Sequence, residues 1–573
     1  MSIPFTKVSS FLGIDIGSCN TRGALFDQVN GQYHFLSAAS APTSIIHPFR
    51  NINDGLLQAL LELQESSAHA LLDDTSHLIL PSLADGSGVD GLVVTFSAGD
   101  TLRILTLGLL QDYSAKSAKK LASFIPGCQV ISLDLAGTPR RVDQLDAIIS
   151  SEPDIILLAG GTDHGAINAI QQLEDVIVQA CKSFPPEKIP TVIFAGNPTL
   201  VEEMVDRFQN VARFFAASNI RPEVNREDLT SGMEVLAQVV REKRTRQFEG
   251  FQNLQKICST PPIPTSYGLD RIIRYLSMRY PSSKGVLGVD LGGTATTIIS
   301  AQQGVSEMSV TAYGSGTGLK PFLENHTYEQ VTRWLPDPSA IEAAPDYLWQ
   351  KSLHPQAVPA TTETLDIEQA AAREILHESM LTHFEQAGFR QASFELILAS
   401  GSMLTRTPQP GEALLMILDG IQPVGISSII LDKNGLSSIL GAAAPINSMI
   451  PVQIIDSSAY TNLATVISPI AKAKPGTPIL RVSIDYGQSS VTRLDIKMGS
   501  LVAFPLPPGQ TANIIMEPAR GVVIDPFRKA NGFKVYGGLC GVVIDARGRP
   551  LVLPKEDDLR KQTLQHWASI LGA

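Results

Sequence analysis

Short apolar runs that end in glycine alternate along the first 450 residues with stretches whose apolar residues recur every three or four positions. Runs of this length with turn-forming residues at their ends predict buried β-strands, here at residues 11–16, 91–96, 154–161, 191–196 and 394–401. The longer periodic stretches predict amphipathic helices that each cover a face of a sheet, at residues 54–72, 164–184 and 226–244. This alternation of strands and helices predicts an α/β fold.

The composition and the pattern of predicted elements change at two points along the chain. Proline, serine and glycine are concentrated at residues 258–268, and a new apolar run begins at Gly285, which indicates a domain boundary. Beyond residue 451 the segments are short, β-rich and separated by turn residues, and residues 556–572 have the pattern of a closing amphipathic helix. We predict a first domain over residues 1–260, a second over 268–450 and a β-rich C-terminal domain over 451–573.

The composition narrows the class of protein. At 573 residues, of which 44% are hydrophobic, the chain can form more than one core, because single cores rarely exceed roughly 250–300 residues. A formal net charge of −11 provides no overall positive field for nucleic acid or anionic lipid. The five cysteines have no C-x-x-C spacing, which predicts neither disulfides nor zinc and fits a reducing cytoplasm. We also expect no signal peptide and no membrane span, because no basic segment with a long apolar run is present.

Residues 11–22 (FLGIDIGSCNTR) and 286–297 (VLGVDLGGTATT) are two copies of one pattern. Asp15 and Asp290 each stand at the end of a hydrophobic strand, 275 residues apart, and the same offset relates the glycines and threonines that follow them. In both copies a turn of glycine and hydroxyl residues leads directly into a second strand. The chain therefore contains an internal repeat of a strand, an aspartate, a turn and a strand.

The repeated turn has the chemistry of a phosphate-binding loop. Glycines let the backbone approach an anion closely with its N–H groups, and serine or threonine adds a hydroxyl donor. A carboxylate beside phosphate is repelled unless a cation lies between, and Mg²⁺ accepts carboxylates through its retained waters. One copy alone would fit an ordinary tight β-hairpin, but two copies favour phosphate binding, with magnesium between Asp15 and Asp290. The predicted phosphate-binding residues are Gly17, Ser18, Cys19, Asn20, Thr21, Gly292, Gly293, Thr294 and Thr296.

Both copies resemble the phosphate motifs of the actin, Hsp70 and sugar-kinase superfamily. The resemblance implies two actin-like (ribonuclease H-like) ATPase domains that flank a nucleotide cleft. A third motif of that superfamily places a glycine pair against the adenosine, and residues 396–406 (LILASGSMLTR) are similar, with Gly401 and Ser402 at the pair. Residues 435–445 (GLSSILGAAAP) resemble the helix that follows, in which small residues let two helices cross closely.

A narrower resemblance is to the MutL proteins associated with glutamate mutase, which are unrelated to the mismatch-repair proteins of that name. The residues that carry it are 14–27, 41–45, 157–165, 192–197, 219–225, 289–300 and the LASGS segment. It implies an ATP-hydrolysing, chaperone-like accessory protein of an adenosylcobalamin-dependent mutase, in which ATP changes the angle between two lobes. The sequence departs from the family at His164, where we expect glycine, and in the β-rich C-terminal segment.

The loop at residues 160–165 (GGTDHG) follows a predicted strand and precedes a predicted helix. Asp163 could orient the water that attacks the γ-phosphate of ATP. It could instead cap the helix that is predicted to begin near His164. Both interpretations stay open, and Asp163 joins Asp15 and Asp290 as a candidate catalytic residue.

Three functions fit this sequence. The first is a magnesium-dependent ATPase that acts on a protein partner, with water as the nucleophile. The second is a small-molecule kinase or a hydantoinase-like ATP-dependent enzyme, which needs a general base that no segment identifies. The third is a non-catalytic scaffold whose nucleotide fixes the orientation of two lobes. The identity of the partner, the rate of hydrolysis and the oligomeric state stay open.

Overall fold

The first half of the chain begins with a sheet rich in hairpins. The computed structural model describes residues 8–46, 49–133, 140–280, 283–388, 391–487, 491–528 and 532–573. Strands β1 (Phe11–Ile16), β2 (Asn20–Val29) and β3 (Gln32–Pro42) pair antiparallel in chain order, and β4 (Gly91–Phe96) pairs parallel with β1. β1 and β4 are buried at every residue, which explains why they are apolar without alternation.

A second sheet of the first half is entirely parallel. Its strands are β5 (Leu102–Gly108), β6 (Cys128–Leu133), β7 (Ile155–Ala159), β8 (Thr191–Phe194) and β9 (Phe214–Ala216). They lie in the order β6-β5-β7-β8-β9, which is a doubly wound arrangement. The strands predicted at residues 154–161 and 191–196 are therefore confirmed, but they belong to a different sheet from β1.

Helices flank both sheets of the first half. They are α1 (Asn53–Ser67), α2 (Lys116–Ser123), α3 (Arg141–Ser151), α4 (Asn168–Ser183), α5 (Val201–Phe208), α6 (Thr230–Gln247) and α7 (Phe251–Ile257). A π-helical turn (Gln111–Ala115) leads into α2, and short 3₁₀ turns occupy Pro186–Lys188 and Pro198–Leu200. The helix predicted over residues 54–72 ends early because Ala68 is left-handed, with φ of 53°.

The second half begins with the same arrangement of strands as the first sheet. After the short strand β10 (Ile263–Pro264) and helix α8 (Thr265–Arg279), strands β11 (Gly285–Leu291), β12 (Thr296–Gln302) and β13 (Val305–Thr311) pair antiparallel in chain order. β14 (Phe394–Ser400) pairs parallel with β11, and β15 (Gly425–Leu431) pairs parallel with β14. The further helices are α9 (Leu319–Asn325), α10 (Tyr328–Thr332), α11 (Pro338–Leu353), α12 (Thr362–Ala387), α13 (Ser402–Thr405), α14 (Pro410–Gly420), α15 (Leu436–Ala443) and α16 (Met449–Ile455).

The two halves share one strand order. β3-β2-β1-β4-β10 in the first half corresponds to β13-β12-β11-β14-β15 in the second. The correspondence extends to register, because Asp15 lies opposite Arg22, and Asp290 lies opposite Thr297, which is again an offset of 275 residues. This duplicated topology confirms the predicted fold of two actin-like (ribonuclease H-like) domains.

Helices α8 and α15 cross between the two halves at contact distance. A Cβ atom added at Gly268 would lie 2.2 Å from the carbonyl oxygen of Ser438, and one added at Gly441 would lie 1.9 Å from the carbonyl oxygen of Gly268. Any larger side chain at either glycine would force the helices apart. The predicted close crossing of two helices at residues 435–445 is confirmed. One face of the second sheet packs against these helices, and its other face packs against α12 and α14.

The segment after residue 451 contributes to two sheets. Its elements are β16 (Thr461–Ser468), β17 (Pro478–Asp485), β18 (Val491–Lys497), β19 (Leu501–Phe504), β20 (Thr511–Pro518), β21 (Gly532–Tyr536), β22 (Val542–Asp545) and α17 (Asp557–Leu571). β18-β17-β20-β21 form a sheet of their own, whereas β16, β22 and β19 extend the second sheet beyond β15. The β-rich character is as predicted, and the division into three domains stays a prediction. Within the described residues, no helix is long and apolar enough to cross a membrane.

Candidate functional site

A cavity of about 290 Å³ lies between the two halves, where the turns after β1 and β11 meet. This volume is close to the lower end of the range for small-molecule sites. Its walls combine both turns, the start of α8, residues 355–359 and the segments that follow β14 and β15. The predicted site residues that line it are Asp15, Gly17, Ser18, Cys19, Asn20, Asp290, Gly292, Gly293, Gly401 and Ser402.

Asp15 and Asp290 have equivalent surroundings in the two halves. The Thr95 hydroxyl donates to Asp15 Oδ1 at 2.7 Å, and the Ser400 hydroxyl donates to Asp290 Oδ1 at 2.7 Å. Each donor stands directly beside its aspartate on the neighbouring parallel strand. The Thr265 hydroxyl, at the start of α8, also donates to Asp15 Oδ1, at 2.9 Å. All three bonds use Oδ1, which leaves Oδ2 of each carboxylate for a water molecule bound to a metal.

The electrostatics of the cavity favour a cation. Burial raises the pKa of Asp290, and the carboxylates of Asp15 and Asp432 raise it further, against the opposing effects of Ser400 and Arg22. In the described part of the chain, no group of three His, Cys, Asp or Glu side chains could hold a metal directly. A cation that is held between the two carboxylates of Asp15 and Asp290 would keep most of its water, as Mg²⁺ commonly does. The residues present fit a hydrated Mg²⁺ ion that is held between the two halves.

The two turns have the same backbone geometry. The Gly17 N–H donates to the carbonyl oxygen of Asn20 at 3.0 Å, and the Gly292 N–H donates to that of Ala295 at 3.0 Å. These bonds are again related by 275 residues. The amides in the middle of each turn take no part in them. Each turn can therefore offer backbone N–H groups to an anion in the cavity.

The second turn is held in place from both sides. The N–H groups of Ser315 and Gly316 donate to the carbonyl oxygens of Gly292 and Gly293 at 2.9 and 2.8 Å. On the other side, a Cβ atom at Gly293 would lie 2.4 Å from Cys19 Sγ of the first turn. The two turns therefore touch, and glycine at this position permits the contact.

The predicted adenosine segment follows β14 directly and lies against the start of the second turn. Gly401 has φ of 102°, and a Cβ atom there would lie 2.1 Å from the carbonyl oxygen of Leu291. Only glycine fits this backbone conformation and this close approach. Ser402 begins α13, and the neighbouring Arg406 also lines the cavity.

A buried ion pair also lines the cavity. Lys351 Nζ lies 2.8 Å from Glu368 Oε1, and the side chains are 7% and 3% exposed. The Tyr347 hydroxyl donates to the same carboxylate oxygen at 2.6 Å, and Lys351 also donates to the carbonyl oxygen of Ala357. Both residues line the cavity, and the charge of Lys351 acts on the Cys19 thiol of the first turn.

Comparison with known proteins assigns the family. A family model described as MutL protein matches residues 11–459. The chain belongs to the MutL family. Protein MutL of Clostridium tetanomorphum is 24% identical over 360 residues, which cover 56% of this chain and 74% of that protein. Family membership and the cleft together support a nucleotide-binding protein of the ATPase type. The family match ends before β16, so most of the β-rich segment lies outside it.

Solved structures resemble this MutL protein only in part. The ethanolamine utilization protein EutJ from Carboxydothermus hydrogenoformans is 10% identical with a TM-score of 0.26, and the match covers 77% of this chain and 91% of that one. The xylulose kinase from Bifidobacterium adolescentis is 11% identical with a TM-score of 0.24, and the match covers 78% and 93%. The fold assignment therefore rests on the duplicated topology.

Three threonines predicted to bind phosphate lie outside the cavity of this MutL protein. The Thr21 hydroxyl donates to Thr43 Oγ1 at 3.3 Å, and the Thr296 hydroxyl donates to a backbone carbonyl at 2.8 Å. Thr294 shares a hydrogen bond of 2.7 Å with another threonine. Side chains alternate along a strand, so Thr21 points away from the cavity because its neighbour Arg22 points into it. These hydroxyls have hydrogen-bond partners within the protein, and their binding to phosphate stays a prediction.

Asp163 lies in the loop that follows β7, the middle strand of the parallel sheet. It does not line the cavity. Its Oδ1 accepts from Asn219 Nδ2 at 2.9 Å, and its N–H donates to the carbonyl oxygen of Pro222 at 3.1 Å. Helix α4 begins only at Asn168 and has no side-chain cap. The cap interpretation is therefore wrong, and the catalytic role of Asp163 stays a prediction.

Several site residues were not predicted. The sequence could have indicated Thr95 and Ser400, because each is a hydroxyl residue near the end of an otherwise apolar strand (GLVVTF and FELILAS). The sequence could also have indicated Arg22, since this residue follows the first turn directly. Lys351 and Glu368 lie on helices outside the repeat, and nothing in the sequence pattern places them beside the turns.

Proposed function

We propose that this MutL protein binds ATP with Mg²⁺ in the cleft between its halves and hydrolyses it. The proposal rests on one observation. Each half contains a carboxylate with a hydroxyl hydrogen-bonded to it, and both carboxylates face the same cavity. Magnesium, when bound, would supply the positive charge that offsets the phosphates beside Asp15 and Asp290. Both halves would then have to be present for the ion to be held.

The remaining cavity residues have complementary roles in this proposal. Arg22 would pair with a phosphate oxygen, since a guanidinium forms strong charge-assisted hydrogen bonds with phosphate. The amides of the two turns would bind the other phosphate oxygens. Gly401 and Ser402 would contact the adenosine, as the resemblance to the third motif of the superfamily implies.

Water is the proposed nucleophile, and we expect slow turnover. Two of the carboxylates that line the cavity are already engaged, Glu368 by a lysine and a tyrosine and Asp432 by two backbone N–H groups. Asp15 and Asp290 are left to orient water around the metal. Hydrolysis would then rest on positioning and electrostatics, without a strong general base.

We further propose that hydrolysis serves a protein partner, an adenosylcobalamin-dependent mutase of the glutamate mutase type. The resemblance to MutL proteins associated with that enzyme supports this partner. Because each half contributes one carboxylate, bound nucleotide would favour a closed cleft. A partner that binds the closed and open forms with different affinity is thereby coupled to ATP.

The nucleotide proposal is tested with two isosteric variants, Asp15→Asn and Asp290→Asn. Calorimetry should show that Mg²⁺ tightens ATP binding to the wild type and does so much less in either variant. Phosphate release should fall by about 100-fold or more, which is typical when a key electrostatic group is removed. Unchanged turnover in both variants would contradict the assignment.

The partner proposal is tested by measuring ATP hydrolysis alone, with candidate metabolites and with a purified mutase. Stimulation by the mutase, absent with Asp15→Asn, supports the accessory role. Stimulation by a metabolite would favour a kinase or a hydantoinase-like enzyme instead. Nucleotide binding with no hydrolysis under any of these conditions would favour a scaffold.

A further inference from the structure

A second cavity, of about 250 Å³, lies on the second sheet away from the turns. We call it the Tyr460 pocket. Its floor is Leu396 and Leu398 of β14 with Ile430 of β15, and Tyr280 and Tyr460 stand at its sides. The floor residues are buried or partly buried, so the pocket presents apolar surface in a recess and not on an open face.

The charges around the Tyr460 pocket are already paired. Arg279 forms an ion pair with Asp456, and the two side chains are 41% and 50% exposed. Glu395, which acts on Tyr280 electrostatically, is paired with Arg528 at 2.7 Å. A charged ligand would have to break one of these pairs. The pocket is therefore complementary to an uncharged apolar group.

One helix connects the Tyr460 pocket with the nucleotide cavity. The first residue of α8, Thr265, donates to Asp15, and the last turns of the same helix place Leu276 and Arg279 in the pocket wall. Between these ends the helix is fixed against α15 at Gly268. A movement of Asp15 would therefore be transmitted to the Tyr460 pocket by helix α8.

Two further connections run through the second half. The Tyr460 hydroxyl shares a hydrogen bond of 3.1 Å with Ser437, and Ser437 lines the nucleotide cavity. On β14, Leu396, Leu398 and Ser400 stand at alternate positions and share one face of the strand. Since Ser400 donates to Asp290, the pocket floor and the second carboxylate belong to one strand face.

We propose that the Tyr460 pocket receives an uncharged aromatic side chain of the partner protein, and that its occupancy is coupled to the nucleotide. The identity of the partner rests on the function proposed above. The two charged side chains that line the pocket, Arg279 and Asp456, are paired with each other, so no free charge is left to recognise the polar groups of a cofactor. Aromatic residues that fill pockets commonly dominate interface energies, and the two tyrosines offer favourable ring contacts.

The existence of the site is tested with side-chain analogues. Toluene, p-cresol and 3-methylindole are titrated by ligand-observed NMR against the wild type, Ile430→Trp, which fills the pocket, and Met278→Trp. Met278 lies on α8 and is 64% exposed, so its replacement adds the same side chain outside the pocket. We expect saturable binding to the wild type and Met278→Trp, and at least about tenfold weaker binding to Ile430→Trp. Ile455→Trp, on the opposite wall, replaces Ile430→Trp should that variant not fold.

Absence of saturable binding to the wild type, or equal binding to the filled variant, would overturn the site. Coupling is measured as ADP affinity with and without a saturating analogue, and reciprocity requires the analogue affinity to change by the same factor when ADP is present. We expect a change of about threefold or more, reduced in Tyr460→Phe, which keeps the ring and removes the bond to Ser437. Identical affinities would overturn the coupling.

The partner side chain is tested with the mutase. We expect the mutase to bind the wild type and Met278→Trp alike, and to bind Ile430→Trp at least about tenfold more weakly. Equal binding to all three would overturn the pocket as the docking site. A mutase that binds none of them would contradict the proposed partner, while the analogue titration would still decide whether the pocket is a site.

Discussion

Gln356 of the second half donates through Nε2 to the carbonyl oxygen of Cys19 in the first turn, at 3.0 Å. The same amide group also donates to the carbonyl oxygen of Thr43 at 2.8 Å. Residues 355–359 line the nucleotide cavity, so this side chain fastens one wall of the cavity to the opposite half. A nucleotide leaving past this wall must break both bonds.

We expect Gln356→Leu to release ADP about three to ten times faster than the wild type. Each neutral hydrogen bond contributes about 0.5–1.5 kcal/mol, and about 1.4 kcal/mol is tenfold in rate. Stopped-flow displacement of a fluorescent ADP analogue measures the release. Leu353→Ala is the control, because Leu353 lies just before this segment, is 70% exposed and does not line the cavity. Equal release rates for Gln356→Leu and the wild type would show that this wall does not limit release.

We expect Thr95→Val and Ser400→Ala to weaken Mg²⁺-dependent ATP binding by similar amounts, each about fivefold. Each change removes one hydrogen bond to a carboxylate, and a bond to a charged group contributes about 1.5–3 kcal/mol, part of which water can replace. Mg²⁺ titrations at fixed ATP provide the measurement. Thr106→Val is the control, because Thr106 is an equally buried threonine in the parallel sheet. An effect at only one of the two sites would contradict equivalent roles for the two aspartates.

We expect Gly441→Val to lower the free energy of unfolding by about 1–3 kcal/mol, the usual cost of overpacking. The added side chain would meet the Gly268 backbone of α8, which cannot move without shifting Thr265. ATP binding should therefore weaken as well, even though Gly441 does not line the nucleotide cavity. Urea unfolding and calorimetry measure the two effects. Full stability together with unchanged ATP binding would contradict the close crossing of the two helices.

His383 gives the protein a predictable pH dependence. Burial lowers its pKa to about 4 from 6.5, and its ring nitrogens share hydrogen bonds of 3.0 and 2.9 Å with Ser309 and Ser300. The folded state therefore keeps this ring neutral while the unfolded state binds a proton below about pH 6.5. The stabilisation is complete above that pH and is lost as the pH falls toward 4.

We expect the free energy of unfolding to fall by up to about 1.4 kcal/mol per pH unit below pH 6.5 because of this residue. Urea unfolding at pH 7.5, 6.0 and 5.0 measures the slope. His383→Gln should have a smaller slope, whereas His377→Gln, on the same helix but partly exposed, should keep it. Equal slopes in all three proteins would contradict a neutral His383.

The repeat was enough to predict the centre of the site from the sequence. Asp15 and Asp290 could be paired because one offset relates their strands and turns, and equal sequence context produced equal backbone bonds at Gly17 and Gly292. The direction of single side chains was harder to predict. Thr21 was assigned to phosphate because it belongs to the repeated pattern, but strand alternation turns it away and turns Arg22 inward.

Other parts of the site depend on contacts between distant segments. Asp163 was placed near the cleft because its loop follows a buried strand, but no periodicity distinguishes a strand of the parallel sheet from one beside β1. Lys351 and Glu368 meet because α11 and α12 pack side by side, which local pattern does not specify. The β-rich segment was predicted as a unit of its own, yet β16, β22 and β19 continue the second sheet.

The crossing at Gly268 divides α8 unequally. Thr265 lies three residues before the crossing and Arg279 lies eleven residues after it, which at about 1.5 Å per residue gives arms of about 5 and 17 Å. The shorter part of the helix ends at Asp15, and the longer part ends at the Tyr460 pocket. A tilt that moves the short end by a fraction of an ångström moves the far end roughly three to four times as much, so small rearrangements around the carboxylate are magnified at the pocket.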